Sequence, residues 1–249
     1  MKLLNVLSFR LTGDFAAFRD PSVTSNQTVY YIPSKSAIIG LIGAIIGVQR
    51  GNKLDRIYGE DYINLFSVTK VGMCLKSEPK KTTFFTNHRS LKETKSKPFK
   101  TELVENPKYT IFVMTESNYF DRLRKAIEKR EYVYSPYLGH AYCPARIDDL
   151  HVHPDLNIVD PEERITTCVV LDESETYRND FEFLLRRVDD TNGRIIIERH
   201  LHHFIENNGL VMRVLKHWIP VKSRFRVERD RERTLSSFIS VNDEVVCLY

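Results

Sequence analysis

Between Glu78 and Lys100 the chain reads EPKKTTFFTNHRSLKETKSKPFK, the densest concentration of possible chemistry in its 249 residues. Seven basic side chains (Lys80, Lys81, Arg89, Lys92, Lys95, Lys97, Lys100) stand against only Glu78 and Glu93. Phe84, Phe85 and Phe99 are interleaved with them, and Thr82, Thr83, Thr86 and Asn87 add neutral hydrogen-bonding groups. Basic groups attract phosphates whatever the base sequence, and aromatic faces stack on unpaired bases. The pattern suits a single-stranded nucleic acid; a long solvated loop of no function has the same composition. A second basic stretch, VKSRFRVERDRER, mixes its arginines with Glu228, Asp230 and Glu232, as solvated faces do. Only Arg224 and Arg226, flanking Phe225, are candidates there for nucleic acid.

The histidines invite an enzyme. HVH (His151, His153) and HLHH (His200, His202, His203) could put imidazoles on one strand face, as in a metal-dependent hydrolase. Neither has a helical His-Glu-x-x-His arrangement or an acidic ligand at diagnostic spacing, so we assign no metal site and expect no cofactor. Metal-free cleavage of RNA needs a proton-transferring group and a group that steadies developing charge. His88 beside Arg89, or His140, could be proposed, but no spacing pairs either with a lysine or tyrosine. No nucleophile elbow, kinase pattern or Walker sequence occurs.

These residues must be carried by elements that the periodicity locates. Apolar residues make up 42% and charged residues 28%, enough for a sizeable core. The net charge of +4 and the pI near 8.8 are mildly basic. Leu3 to Leu11 alternates as a strand does. IPSKSAIIGLIGAIIG (Ile32 to Gly47) predicts a helix started by Pro33 and capped by Ser34 or Ser36. Ser36, Gly40, Gly43, Ala44 and Gly47 fall on one face and Ile38, Leu41, Ile42 and Ile45 on the other, so the small face is expected to pack closely on a sheet. The glycines lie along the helix rather than in a turn before it, which argues against a phosphate-binding loop. The apolar run is well short of the ~20 residues of a membrane span, and the opening MKLLNVLSFR does not read as a signal peptide.

Leu65 to Leu75 and NPKYTIFVMTE (Asn106 to Glu116) predict two more strands, and SNYFDRLRKAIEKR an amphipathic helix capped by Asn118. With a strand near Ala145 to Val152, the order is β-α-β-β-α-β, that of a ferredoxin-like or RNA-recognition fold. Asn192-Gly193 and Asn208-Gly209 between strand-like runs predict hairpins, and FISV-ND-EVVCLY a final one. The reading is α+β: residues 1–150 form an RNA-recognition-like part with the basic insertion at 77–105, and residues 151–249 a C-terminal antiparallel β meander packed on it. Four cysteines (Cys74, Cys143, Cys168, Cys247) without short paired spacing argue against a zinc knuckle and a disulfide framework. A reducing cytoplasm is the expected location.

The sequence NVLSFRLTGDFAAFRDP followed by YYIPSKSAIIGLIGAIIG resembles the N-terminal signature of the CRISPR-associated Cas-five family, subunits of the RAMP superfamily found in the Cascade surveillance complex. The features that carry the resemblance are Gly13, the Ala16-x-Phe18-Arg19 run, Pro33 and the small-residue helix. NPKYTIFV and YSPYLGHAYCPA (Tyr134 to Ala145) resemble two further family blocks. The pattern is closest to type I-B. The resemblance implies an extended β thumb at the basic insertion and a subunit that grips the 5′ handle of the CRISPR RNA (crRNA). It also implies partners in the Cascade backbone and large subunits, target DNA near the complex, and no membrane. In one branch of the family the protein is itself an endoribonuclease using Tyr, Lys and His. Here Lys216-His217 lies far downstream, so no catalytic residue is carried over and a non-catalytic role is expected. The expected RNA-binding residues are Arg19; Ser34, Lys35 and Ser36 at the helix start; and Lys80, Lys81, Thr82, Thr83, Asn87, His88, Arg89 and Lys92 in the insertion.

Overall fold

The computed structural model describes residues 4–23, 27–52, 57–89, 96–161, 164–172, 183–188, 192–206, 209–229 and 237–249. In chain order its first part comprises β1 (Leu4–Thr12), α1 (Lys35–Ile46), α2 (Glu60–Val68), β2 (Lys70–Leu75), β3 (Lys80–Arg89), β4 (Ser96–Glu105), β5 (Lys108–Met114), α3 (Ser117–Lys129) and β6 (Arg146–Leu156). Four of these strands form one sheet in the order β2-β5-β1-β6, every neighbouring pair antiparallel. The period of two decides what each face meets. Leu7, Phe9, Leu11, Met73, Ile111 and Val113 join a core with Ile38, Ile42 and Ile45 of α1 and Leu123 of α3. Val6, Cys74 and Phe112 point to the opposite face. That second face is covered too, so Val6 to Phe9 are all buried, Ser8 among them.

Helix α1 starts as its sequence predicts. Ser34 is the N-cap, its hydroxyl accepting from the Ala37 N–H at 3.3 Å, and Gly47 closes the helix in the left-handed conformation. The apolar face Ile38, Leu41, Ile42 and Ile45 is buried. The small face does not do what its glycines suggested. A Cβ at Gly40 would meet nothing within 4 Å, and one at Gly43 would meet the Val48 carbonyl at 3.1 Å and Leu65 of α2 at 3.9 Å. The face is not pressed against the sheet. The C-terminal carbonyls of α1 are instead occupied by neighbours: Val133 N–H and Tyr134 N–H donate to Ile45 and Ala44, and Arg122 donates to Ile46 at 2.7 Å.

Other expectations shift as well. Leu65 to Val68 belong to α2, with Glu60 and Asp61 favourably placed in its first turn, so the strand begins only at Lys70. Helix α3 is capped at Glu116 without a side-chain bond, which puts Asn118 inside the first turn; its stripe of Phe120, Leu123 and Ile127 is buried as the periodicity requires.

In the C-terminal part, β7 (Val170–Asp172), β8 (Arg194–Glu206) and β9 (Gly209–Val221) form one sheet in the order β7-β9-β8. The β8–β9 hairpin pairs Glu206 with Gly209, and residues 207–208 between them lie outside the described residues. A final hairpin, β10 (Ser237–Val241) and β11 (Glu244–Leu248), turns through Asn242 and Asp243 at φ 49° and 64°, the two left-handed residues of a tight hairpin turn. Among the described residues the strands on either side of Asn192-Gly193 do not pair with each other. The strand Phe183–Arg187 pairs with Phe225–Arg229, because the chain at Gly193 crosses against Ser223 so closely that a Cβ would lie 1.9 Å from the Ser223 Cβ. The C-terminal strands cover the second face of the first sheet through Ile239, Val241, Val246 and Leu248, and Val71 and Tyr249 exchange both backbone hydrogen bonds at 3.0 Å.

Cys74 and Cys168, 94 residues apart, are disulfide-bonded in the same buried layer, contrary to the expectation from spacing. Short spacing cannot reveal a pair that two packed layers bring together. Among the described residues no helix is long and apolar enough to cross a membrane.

Candidate nucleic-acid interface

The basic insertion is an antiparallel hairpin, β3 with β4, in unbroken register from Lys80–Glu105 to Arg89–Ser96. Its root is clamped on the outer edge of β4: Phe15 and Ala16 pair with Glu105 and Val104, and Gln27 exchanges backbone bonds with Lys100 and Glu102 at 3.0 and 2.9 Å. Thr101, Leu103 and Val104 are buried, so the root belongs to the folded body while β3 stays accessible along one side.

Alternation sorts the predicted residues by face. Lys81, Thr83, Phe85 and Asn87 are exposed; Thr82, Phe84 and Thr86 are half-buried. Phe85 is 73% exposed, an aromatic ring offered to solvent on a basic strand. Phe84 packs on the core, and Thr86 meets Thr101 across the hairpin at 3.4 Å. Lys80 lies at the root. His88 and Arg89 continue the strand with backbone partners Lys97 and Ser96. Lys92 lies outside the described residues.

The exposed face is tied to the entry of α1 by one residue that the sequence reading passed over. The Lys81 ammonium sits 4.2 Å from the centre of the Tyr31 ring. Tyr31 is itself held from two sides: its N–H donates to Glu198 at 2.9 Å, and its carbonyl accepts from the buried Tyr109 hydroxyl at 2.7 Å. Burial, with the Glu198 charge second, holds the Tyr109 phenol far above its ordinary value, so it remains a donor. Glu198 also meets His200 at 3.0 Å, and the His200 ring stacks on Tyr30 at 3.8 Å. The structure thus brings Lys81 to Tyr31, just ahead of the start of α1. There Ser34 and Ser36 are 3.0 Å apart, and the Lys35 ammonium lies 5.2 Å from the centre of the Phe66 ring. Lys35 therefore rests over an aromatic ring beside the helix start.

Arg19 lies elsewhere, on the far edge of the hairpin root. It borders a cavity of about 220 Å³ lined with Gln27, Thr101, Glu102, His140 and Tyr142. The segment that supplies His140 is folded onto residues 16–18: Ala17 N–H donates to Leu138 at 2.8 Å, and Gly139 at φ +85° lets the chains approach where a Cβ would lie 2.3 Å from the Ala17 carbonyl. His140 and Tyr142 place their rings 4.0 Å apart, both exposed. The aromatic density of PYLGHAYCPA was the available signal for this second platform.

The HVH histidines are engaged singly. His153 meets the Ser8 hydroxyl at 2.8 Å and His151 meets Asp149 at 3.1 Å. Among the described residues no three His, Cys, Asp or Glu side chains gather as a metal set would. Burial first, and the neighbouring His151 second, hold His153 below the ordinary histidine value of 6.5. The unfolded chain then takes this proton more readily than the folded one. Stability tied to neutral His153 is complete above pH 6.5 and is lost as pH falls below it. Wild type is expected to lose more thermal midpoint between pH 7 and pH 5 than His153→Gln, which keeps a partner for Ser8; parallel profiles would refute this.

The geometry defines a mixed, mostly antiparallel β protein with a basic hairpin rooted beside an aromatic cavity. The profile of the family described as CRISPR-associated protein (Cas_Cas5) matches residues 6–193, and the chain belongs to that family. No curated protein matches it. Among solved structures, a CRISPR protein from Archaeoglobus fulgidus shares the fold at a TM-score of 0.55 and 12% identity, with 98% of each chain covered. A chain of a CRISPR RNA-guided surveillance complex reaches 0.49 at 15% identity, covering 90% of this chain and 91% of that one. The crystal structure of a Cas protein reaches 0.46 at 16%, covering 90% and 98%.

Proposed function

We propose that this protein is a non-catalytic RNA-binding subunit of a type I Cascade complex, closest to type I-B, which grips the 5′ handle of the crRNA. Backbone and large subunits and nearby target DNA are its proposed partners. The strand order β2-β5-β1-β6, with helices before β2 and before β6, supports a ferredoxin-like reading of the sheet, in which the β3–β4 hairpin serves as the thumb. The observation that carries the reading is the exposed strand face of Lys81, Thr83, Phe85 and Asn87, anchored through Tyr31 to the capped start of α1. Lysine and the neutral side chains hold phosphate and sugar, and Phe85 stacks on an unpaired base. His140, against Tyr142 and beside Arg19, acts as a second stacking platform rather than as a general base.

The purified protein is expected to bind its repeat RNA and leave it intact, with or without EDTA, and His140→Ala is expected to weaken binding without another effect. EDTA-resistant cleavage abolished by His140→Ala would replace this reading with that of a metal-independent endoribonuclease processing repeat RNA.

A further inference from the structure

The two basic stretches, more than a hundred residues apart in sequence, adjoin in the fold. Glu78, just before the hairpin, takes Arg194 on one carboxylate oxygen at 3.2 Å and Lys222 on the other at 2.5 Å. The hydrogen bond from Lys222, then the charges of Lys222, Arg194 and Lys80, hold this carboxyl below its ordinary value although burial opposes them. Lys80, Arg194 and Lys222 are therefore close neighbours around a single acid. From Lys222 the chain runs directly to Arg224 and Arg226 on the small sheet, where Arg226 pairs with Arg186 on the adjacent strand.

Opposed residues have Cα atoms about 5 Å apart, and Arg224 precedes Arg226 by about 6.7 Å along the strand. All three arginines are exposed, while Phe225 and Val227, alternating with them, are buried. The alternation thus puts the arginines on the outer face and makes the apolar residues their support. Arg187, whose guanidinium donates to the Gly193 carbonyl at 3.2 Å, ties the crossing loop to this sheet. Leu184 and Glu228 are paired two register positions further along.

We infer that the outer face carrying Arg186, Arg224 and Arg226 is a second phosphate-binding surface, which takes the RNA backbone beyond the segment held by the hairpin. The inference rests on the RNA-binding reading, because the partner is assigned by continuity: the basic track begins at Lys80, at the hairpin root, and passes Arg194 and Lys222 before reaching the sheet. A row of same-sign groups at strand spacing suits a polyanion with regularly repeated charges and reads no base.

The test uses the full chain and single-stranded RNAs that share the handle sequence and grow in length. Wild type is expected to gain affinity with length. Arg186→Ala/Arg226→Ala is expected to bind the shortest RNA like wild type and the longest roughly tenfold more weakly, with the slope of log affinity against log salt shallower by about 1.4, or 0.7 for each lost phosphate contact. Arg186→Lys/Arg226→Lys is expected to restore most of the loss, since a point charge suffices for a phosphate. Wild-type affinity and slope of the alanine variant on every RNA would overturn the inference and leave this face to an acidic protein surface. Failure of the RNA-binding reading shows separately, as unchanged binding of the shortest RNA by Lys81→Ala/Phe85→Ala.

Discussion

Replacing residues 87–98 by an Asn-Gly turn that joins Thr86 to Phe99 is expected to leave a folded protein whose RNA affinity is at least tenfold lower at about 0.15 M salt. The cut is made where the register permits a two-residue closure, since Thr86 and Phe99 are direct partners. It spares everything that ties the hairpin to the body: Lys81 on Tyr31, Phe84 on the core, and the pairing of Phe15, Ala16 and Gln27 with the root. It removes Arg89, Lys92, Lys95 and Lys97 against a single acid, Glu93. If those four cations each meet a phosphate, the salt slope falls by about 2.8, at 0.7 per contact on a single strand. A circular dichroism spectrum and thermal midpoint close to wild type would establish that the fold survives. Wild-type affinity in that folded variant would remove the distal half of the thumb from the proposed site.

The sequence showed the hairpin as composition and the structure shows it as geometry, and the difference explains what could be read in advance. Charge and aromatic content located 77–105 because neither depends on distant contacts. The strand β1, helix α1 and its Ser34 cap, the stripe of α3 and the Asn242-Asp243 turn were legible for the same reason: each is decided by neighbours within a few residues. Helix α2 was missed although Glu60, Asp61, Tyr62, Leu65 and Phe66 carry helical spacing, because the alternation from Ser67 onward was extended backward across its end. The expected hairpin at Asn192-Gly193 failed against a long-range crossing at Ser223, and the Cys74–Cys168 bond joins two layers, so local pattern is silent on both. The site divides in the same way. Lys81 was read as a phosphate ligand, but its place over Tyr31 depends on Tyr109 and Glu198, 78 and 167 residues away from Tyr31. The Glu78–Lys222 contact likewise exists only once the sheets are packed.

The glycines give the clearest division between local pattern and packing, and the largest expected effect on stability. Gly40→Ala is expected to raise stability by up to about 1 kcal/mol, since its Cβ meets nothing within 4 Å and alanine is the better helix former by about that amount. The reading of α1 as a close-packed small face requires the opposite sign. Gly72→Val is expected to be severe. This glycine lies in β2, where a Cβ would stand 2.6 Å from the Cys247 carbonyl, 2.7 Å from Val246 and 3.0 Å from Leu248. A backbone carbonyl on a paired strand cannot step aside as a side chain can. Relief would require moving β11 away from β2, and with it the Val71–Tyr249 bonds and the buried layer of Cys74, Val246 and Leu248. Overpacking alone typically costs about 1–3 kcal/mol, and separation of the layers adds the lost burial of several apolar side chains at about 1.5–3 kcal/mol each. Gly72→Val should therefore unfold the protein or lower its thermal midpoint by tens of degrees, while Gly40→Ala leaves the midpoint equal or higher. A Gly72→Val protein as stable as wild type would show that the C-terminal hairpin does not close on β2 as described; a destabilised Gly40→Ala would restore the small-face reading of α1.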